Sequence, residues 1–205
     1  GNSFYLNHMA EQWRGVVVND YEAVRPVPWK KKYGIRYSYR VPFIQQLGWF
    51  AVQHFPAQQA MLQVLNQFCR YGDYSFNYGN PVAPPVKVHN NYLLDLSKSY
   101  ADIQAGYKTD MMNNLKKVRK ERLVYGEEAV ETAFLVFKKM YASRTPHVTD
   151  TDFSNFLRLC NFLVNQGQAF ARKITNPQNE LLAAALLLKD ENRIYNMMNS
   201  ITEAG

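Results

Sequence analysis

Residues 168 to 200 hold three stretches, Gln168 to Thr175, Glu180 to Leu188 and Arg193 to Ser200, separated only by Asn176-Pro177-Gln178-Asn179 and Lys189-Asp190-Glu191-Asn192. Connections this short leave no room for a crossover, so the stretches read as three strands joined by turns. The middle one is apolar on both faces from Leu181 to Leu188 and should be the most buried. Helices precede it. Thr149 and Asp152 have capping-box spacing for a helix carrying Phe153, Phe156, Leu157, Cys160, Leu163 and Val164, which stops at Gly167. Glu127 to Arg144 reads as another, with Glu127, Glu128 and Glu131 near its start and Lys138, Lys139 and Arg144 near its end, the charge order a helix dipole favours.

Upstream, Tyr92 to Leu96 is a short apolar run that breaks at Ser97 and reads as a strand entering a core. Ser99 and Asp102 then cap a helix of about five or six turns, with Ile103, Tyr107, Met111, Leu115 and Val118 on one stripe and Gly126 at its end. Its other face holds Lys108, Lys116, Lys117, Arg119, Lys120 and Arg122 against only Asp110 and Glu121. That crowding makes Lys108, Lys116, Lys117, Arg119 and Lys120 candidates for binding an anion.

The first half starts with a short helix over residues 1–13, from Phe4, Tyr5, Leu6, Met9 and Trp13. Strands follow at Arg14 to Asn19, Ala23 to Pro28, Ile35 to Val41 and Leu47 to Gln53, as an antiparallel meander. Pro26 and Pro28 imply an edge or a bulge, and Tyr37 and Tyr39 face one way. Pro56 opens a helix with an apolar stripe between Met61 and Cys69 that runs to Gly72, and Tyr74 to Tyr78 alternates again as a strand. The clearest linker is Gly79 to Pro85, which places one domain at residues 1–80, a linker at 81–90 and a second domain at 91–205.

A chain of 205 residues suits one large or two small domains. It has no apolar run approaching a membrane span and no N-terminal pattern of a signal sequence, which points to a cytoplasmic protein. Cys69 and Cys160 lie among apolar neighbours and read as core thiols. The four histidines show no metal spacing, so no metal is expected. The formal charge of +7 favours anionic partners, with Lys30, Lys31 and Lys32 forming a second basic cluster.

The order of an aliphatic strand, Asp95-Leu96-Ser97, an acidic capping residue, then Lys108, Asn114, Leu115, Lys116, Lys117 and Lys120 resembles the opening of the second domain of Fem-type peptidyltransferases and related GNAT-like acyl-CoA N-acyltransferases. The resemblance implies an α+β chain of two GNAT-like units, with antiparallel mixed sheets flanked by helices. The first unit would lack its N-terminal strand and helices, and the second its C-terminal helix and strand. It implies transfer of an acetyl or aminoacyl group to the amine of a small molecule or peptide, with acyl-CoA or aminoacyl-tRNA as donor and no metal. Tyr195, Asn196, Asn199 and Ser200, with Gln45 and Gln46, would line the acyl pocket, although the same residues suit ordinary cross-strand pairing. In such enzymes the donor pyrophosphate rests at a helix N-terminus after the fourth strand. Here that strand would be Arg193 to Ser200, and the first-half counterpart, Gln53 to Pro56, has no glycine, so weak binding of acyl-CoA or none is expected. The uncovered edge of Arg193 to Ser200 implies self-association or cover by the first half. A second reading is a non-catalytic module that binds nucleic acid, such as transfer RNA, or an acidic partner through the helix at 108–122.

Overall fold

The computed structural model describes residues 3–52, 58–77, 79–80 and 87–205. The protein is mixed α and β, with two sheets flanked by helices. It divides into two compact units: Gly1–Asn91 with Ser154–Leu159, and Tyr92–Phe153 with Cys160–Gly205. The expected linker falls largely at 81–86, outside the described residues, as do Gln53 to Pro56. No described helix is long and apolar enough to cross a membrane.

The first unit opens with helix α1 (Ser3–Met9), which ends four residues earlier than expected because Trp13 already belongs to strand β1 (Trp13–Val18). β1 pairs antiparallel with β2 (Ala23–Lys32), and β2 pairs with β3 (Ile35–Ser38) through its second half. Pro26 and Pro28 therefore lie within a ten-residue strand. The amide of Trp29 donates across the ladder to Gln12, so alternate residues point theirs the other way. The missing amides of Pro26 and Pro28 thus face a stretch of β2 edge that no described strand pairs.

The expected strand at 47–53 shrinks to β4 (Phe50–Ala51) beside β2. Tyr74 to Asn77 forms no strand, and only β5 (Tyr71–Gly72) adds to β3, in parallel. Side chains replace the missing ladder: the Asn80 amide accepts from the Trp49 backbone N–H and donates to the Trp49 carbonyl, each at 2.9 Å. Gly48 permits this, since a Cβ there would collide with Asn77 and Asn80. Helix α2 (Gln58–Phe68) covers the sheet, packing Leu62, Leu65, Phe68 and Cys69 against Val27, Trp29 and Val16, while Val64 stays exposed.

In the second unit Tyr92 to Leu96 is not a strand. It joins neither sheet, and Tyr92, Leu93, Leu94 and Leu96 are exposed. Asp95 instead closes a local turn, accepting from the backbone N–H and hydroxyl of Ser97 at 3.0 and 2.6 Å, which holds its carboxyl below the usual range. Ser99 caps a helix as expected, but the single long helix is two, α3 (Tyr100–Ala105) and α4 (Thr109–Lys120). The break falls at Gly106, with Lys108 extended. The chain leaves α4 through Arg122, which takes the left-handed turn at φ 54°, so Gly126 is free to sit inside strand β6 (Val124–Glu128). Glu127 and Glu128 belong to that strand, and helix α5 (Val130–Tyr141) starts only after them.

Helix α6 (Asp150–Asn165) begins in the reciprocal Thr149–Asp152 capping box and ends where Gly167 and Gln168 donate back to Val164 and Leu163. Phe134 of α5 meets Phe153 of α6 edge to face at 6.1 Å, and Lys138 pairs with Asp150 at 2.7 Å. The meander follows as β7 (Ala169–Thr175), β8 (Leu181–Lys189) and β9 (Ile194–Ile201), and the sheet order is β6-β7-β8-β9, all antiparallel. α5 lies against β7, β8 and β9. Ala169, Ala171, Ala184, Leu186, Leu188 and Met198 are buried on one face, whereas Phe170, Ile174, Ala183, Ala185 and Leu187 on the other are half-buried. β8 is central, but only one of its faces is fully buried.

Candidate functional site

β9 is an edge strand of its sheet, and it is irregular. Leu186 faces Met198 and Leu187 faces Asn196, so Met197 is an extra residue, a bulge of the kind that bends an edge and re-aims side chains. The bulge reverses the alternation along the strand. Asn196 opposite Leu187 and Asn199 opposite Ala185 therefore share the half-open face, while Tyr195 opposite Leu188 and Ser200 opposite Ala184 lie on the buried one.

The four candidate residues of β9 thus separate into pairs. The Ser200 hydroxyl is buried and donates to the Ala184 carbonyl at 3.2 Å. The Tyr195 hydroxyl donates to Asp190 at 2.7 Å, and partial burial together with that carboxylate pushes the phenol up. Asp190 also accepts from the backbone N–H of Asn192 and Arg193. Slight desolvation pushes its carboxyl up, but these hydrogen bonds outweigh it and hold the group below its ordinary value. Tyr195 and Asp190 fix the β8–β9 turn. Asn196 and Asn199 face the same side as the cross-strand ion pair of Arg172 with Glu127, at 3.2 Å.

Gln45 and Gln46 lie in the loop before β4, the first exposed and the second half-buried, in the other unit from β9. A charge missed by the sequence reading sits nearby in the chain. Arg25 is 1% exposed on β2, with its guanidinium over the Phe76 ring at 4.5 Å and the Tyr74 ring at 5.5 Å. One nitrogen donates to the Ser75 carbonyl at 3.2 Å, while Nε and Nη1 have no partner. The signal was a lone cation in the otherwise apolar AVRPVPW.

The cations of α4 are all exposed and take part in none of the ion pairs among the described residues. They do not form one cluster. Lys108 occupies the N-cap, whereas Lys116, Lys117, Arg119 and Lys120 crowd the last turns, about 12–18 Å further along the axis. Neither α3 nor α4 has a buried residue. Among the described residues no three His, Cys, Asp or Glu side chains gather as a metal site. In comparison with known proteins, the sequence matches no family model and no curated protein.

Proposed function

We propose that the chain is an N-acyltransferase of the GNAT and Fem-like kind. The observation that carries this reading is the element order of the second unit, in which strand β6, helices α5 and α6 and the meander β7-β8-β9 build one antiparallel sheet. On this reading the transferase unit opens at β6, and residues 92–122 are an appended helical segment. An amine nitrogen attacks the acyl carbonyl carbon, the carbon–sulfur or carbon–oxygen bond of the donor breaks, and the thiol or alcohol leaves with a proton from the amine. Such a reaction runs largely on positioning. Asn196 and Asn199, either side of the bulge at Met197, are assigned to the acceptor, their amide oxygens receiving its N–H groups. Acyl-CoA or aminoacyl-tRNA would be the donor. The described residues gather no glycine-lined helix start beside β9 for a diphosphate, so none is assigned to it. Self-association along the open edge of β9 belongs to the same reading and would appear as a dimer in sedimentation.

The test is release of free thiol from acetyl-CoA in the presence of a panel of primary amines. Burial pushes both protein thiols up, Cys160 to about 12, so they stay silent in the assay. Amine-dependent release is expected, and Asn196→Ala with Asn199→Ala should slow it roughly ten- to a hundredfold. Absence of both thiol release from acetyl-CoA and transfer from aminoacyl-tRNA would sink the reading. The unpaired cations of an unburied α4 favour a second one, a basic binding module. Changing Lys116, Lys117, Arg119 and Lys120 to Gln should then abolish binding of transfer RNA at low salt.

A further inference from the structure

We propose that the open face of the β2–β3–β5 sheet in the first unit binds single-stranded nucleic acid. The pairing register puts Lys30 beside Tyr37 and Tyr37 beside Tyr71, a row across three adjacent strands on one face. The next row holds Lys32 beside Ile35. This is the face away from α2, since Trp29, one residue out of step, turns inward and packs edge to face on Phe68 of that helix. Tyr33 extends the row at the tip of the β2–β3 hairpin, where Tyr33 and Gly34 both take positive φ, 50° and 80°, in a tight two-residue turn. Tyr33 is 92% exposed and Tyr71 61%, and Lys32, Tyr33, Ile35, Tyr37 and Tyr71 line one open cleft.

Aromatic rings spread over a sheet face, about one strand spacing of 4.8 Å apart, are a stacking platform for unpaired bases, and interleaved lysines match the phosphates. Bases in a duplex already stack on each other and could not use it. Charge supports the same partner. Asp73, the acidic residue lining the cleft, is paired with Arg40 at 2.8 Å, and Glu11 lies 3.5 Å from Lys30, whereas Lys32 has no acidic partner among the described residues. Its ammonium sits over the Tyr33 ring at 5.5 Å. A neutral glycan could stack on these rings but would leave the Lys32 ammonium unmatched. The site lies in the other unit from α4 and β9 and does not rest on the transferase reading.

The experiment is fluorescence anisotropy of a labelled uridine 20-mer with the full chain at 50 mM salt, repeated at 200 mM and with heparin as competitor. Binding is expected to weaken with salt and to fall about tenfold or more in Tyr33→Ser with Tyr71→Ser. Both side chains are exposed, and an unchanged melting temperature would show that the variant is folded. Lys32→Gln should weaken binding and flatten the salt dependence, while the four-Gln variant of α4 should keep the loss caused by the tyrosine changes. Undetectable binding by the parent at 50 mM salt would overturn the proposal. So would equal binding by the tyrosine variant, complete loss in the α4 variant alone, or tighter binding of heparin than of the oligonucleotide, which would mark an acidic-polysaccharide site.

Discussion

Arg25 carries a charge into an apolar layer and receives little for it there. Burial lowers its pKa to about 10, with the neighbouring Tyr74 pulling the other way, so the guanidinium stays protonated at neutral pH with two nitrogens unmatched. A side chain of similar volume without the charge should serve as well. Arg25→Met is expected to leave stability within about 1 kcal/mol of the parent or to raise it, whereas Arg25→Ala should cost about 2–4 kcal/mol through the cavity. Urea denaturation of both variants decides this, and a loss of several kcal/mol in Arg25→Met would mean that the charge itself is needed. Cys160 presents the opposite case, a neutral group that burial keeps neutral. Its folded pKa is raised to about 12, while the unfolded thiol ionises near about 8.5. The stabilisation is therefore complete below the unfolded value and is lost as pH rises towards the folded one, by up to about 1.4 kcal/mol per pH unit. Stability measured at pH 7.5 and 9.5 should fall further in the parent than in Cys160→Ala.

Two helices start on the same Ser/Thr-x-x-Asp spacing but do not bear the same burden. Thr149 caps α6, whose Phe153, Cys160 and Leu163 are buried, and Ser99 caps α3, which buries nothing. Thr149→Ala should cost about 1 kcal/mol of global stability, while Ser99→Ala should speed amide exchange within α3 and leave global unfolding unchanged. Equal global losses would mean that α3 belongs to the cooperative core. These caps were legible in the sequence because a cap is local: its donor and acceptor lie three residues apart. The turns at Asn176 and Asp190, whose side chains accept from nearby backbone amides, were legible for the same reason and gave β7, β8 and β9. Strands that failed to appear, at Tyr92 to Leu96 and Tyr74 to Asn77, had the right composition but join no ladder among the described residues, and pairing is not written locally. The split of the candidate residues on β9 was hidden similarly, since the bulge at Met197 shows only in the register with β8.

Over the whole molecule the surplus of +7 is uneven, with clusters on α4 and on the β2–β3 hairpin. Neutralising Lys116, Lys117, Arg119 and Lys120 removes four of the seven excess charges, so the variant should leave a cation exchanger at clearly lower salt with its melting temperature unchanged. Equal elution would show that the hairpin cluster dominates retention. On its other side β2 pairs with β1, and that pairing is governed by Pro26 and Pro28. Both prolines turn their nitrogens away from β1, so the pairing of Trp13 to Val18 with Ala23 to Pro28 uses only positions able to donate. Sliding one strand by a single residue would bring two donorless nitrogens into the ladder and turn Arg25 and Val27 to the opposite side. The prolines thus act as a key that fits one alignment, and a chain collapsing from the unfolded state is steered away from the nearest misalignment before its core exists to correct it.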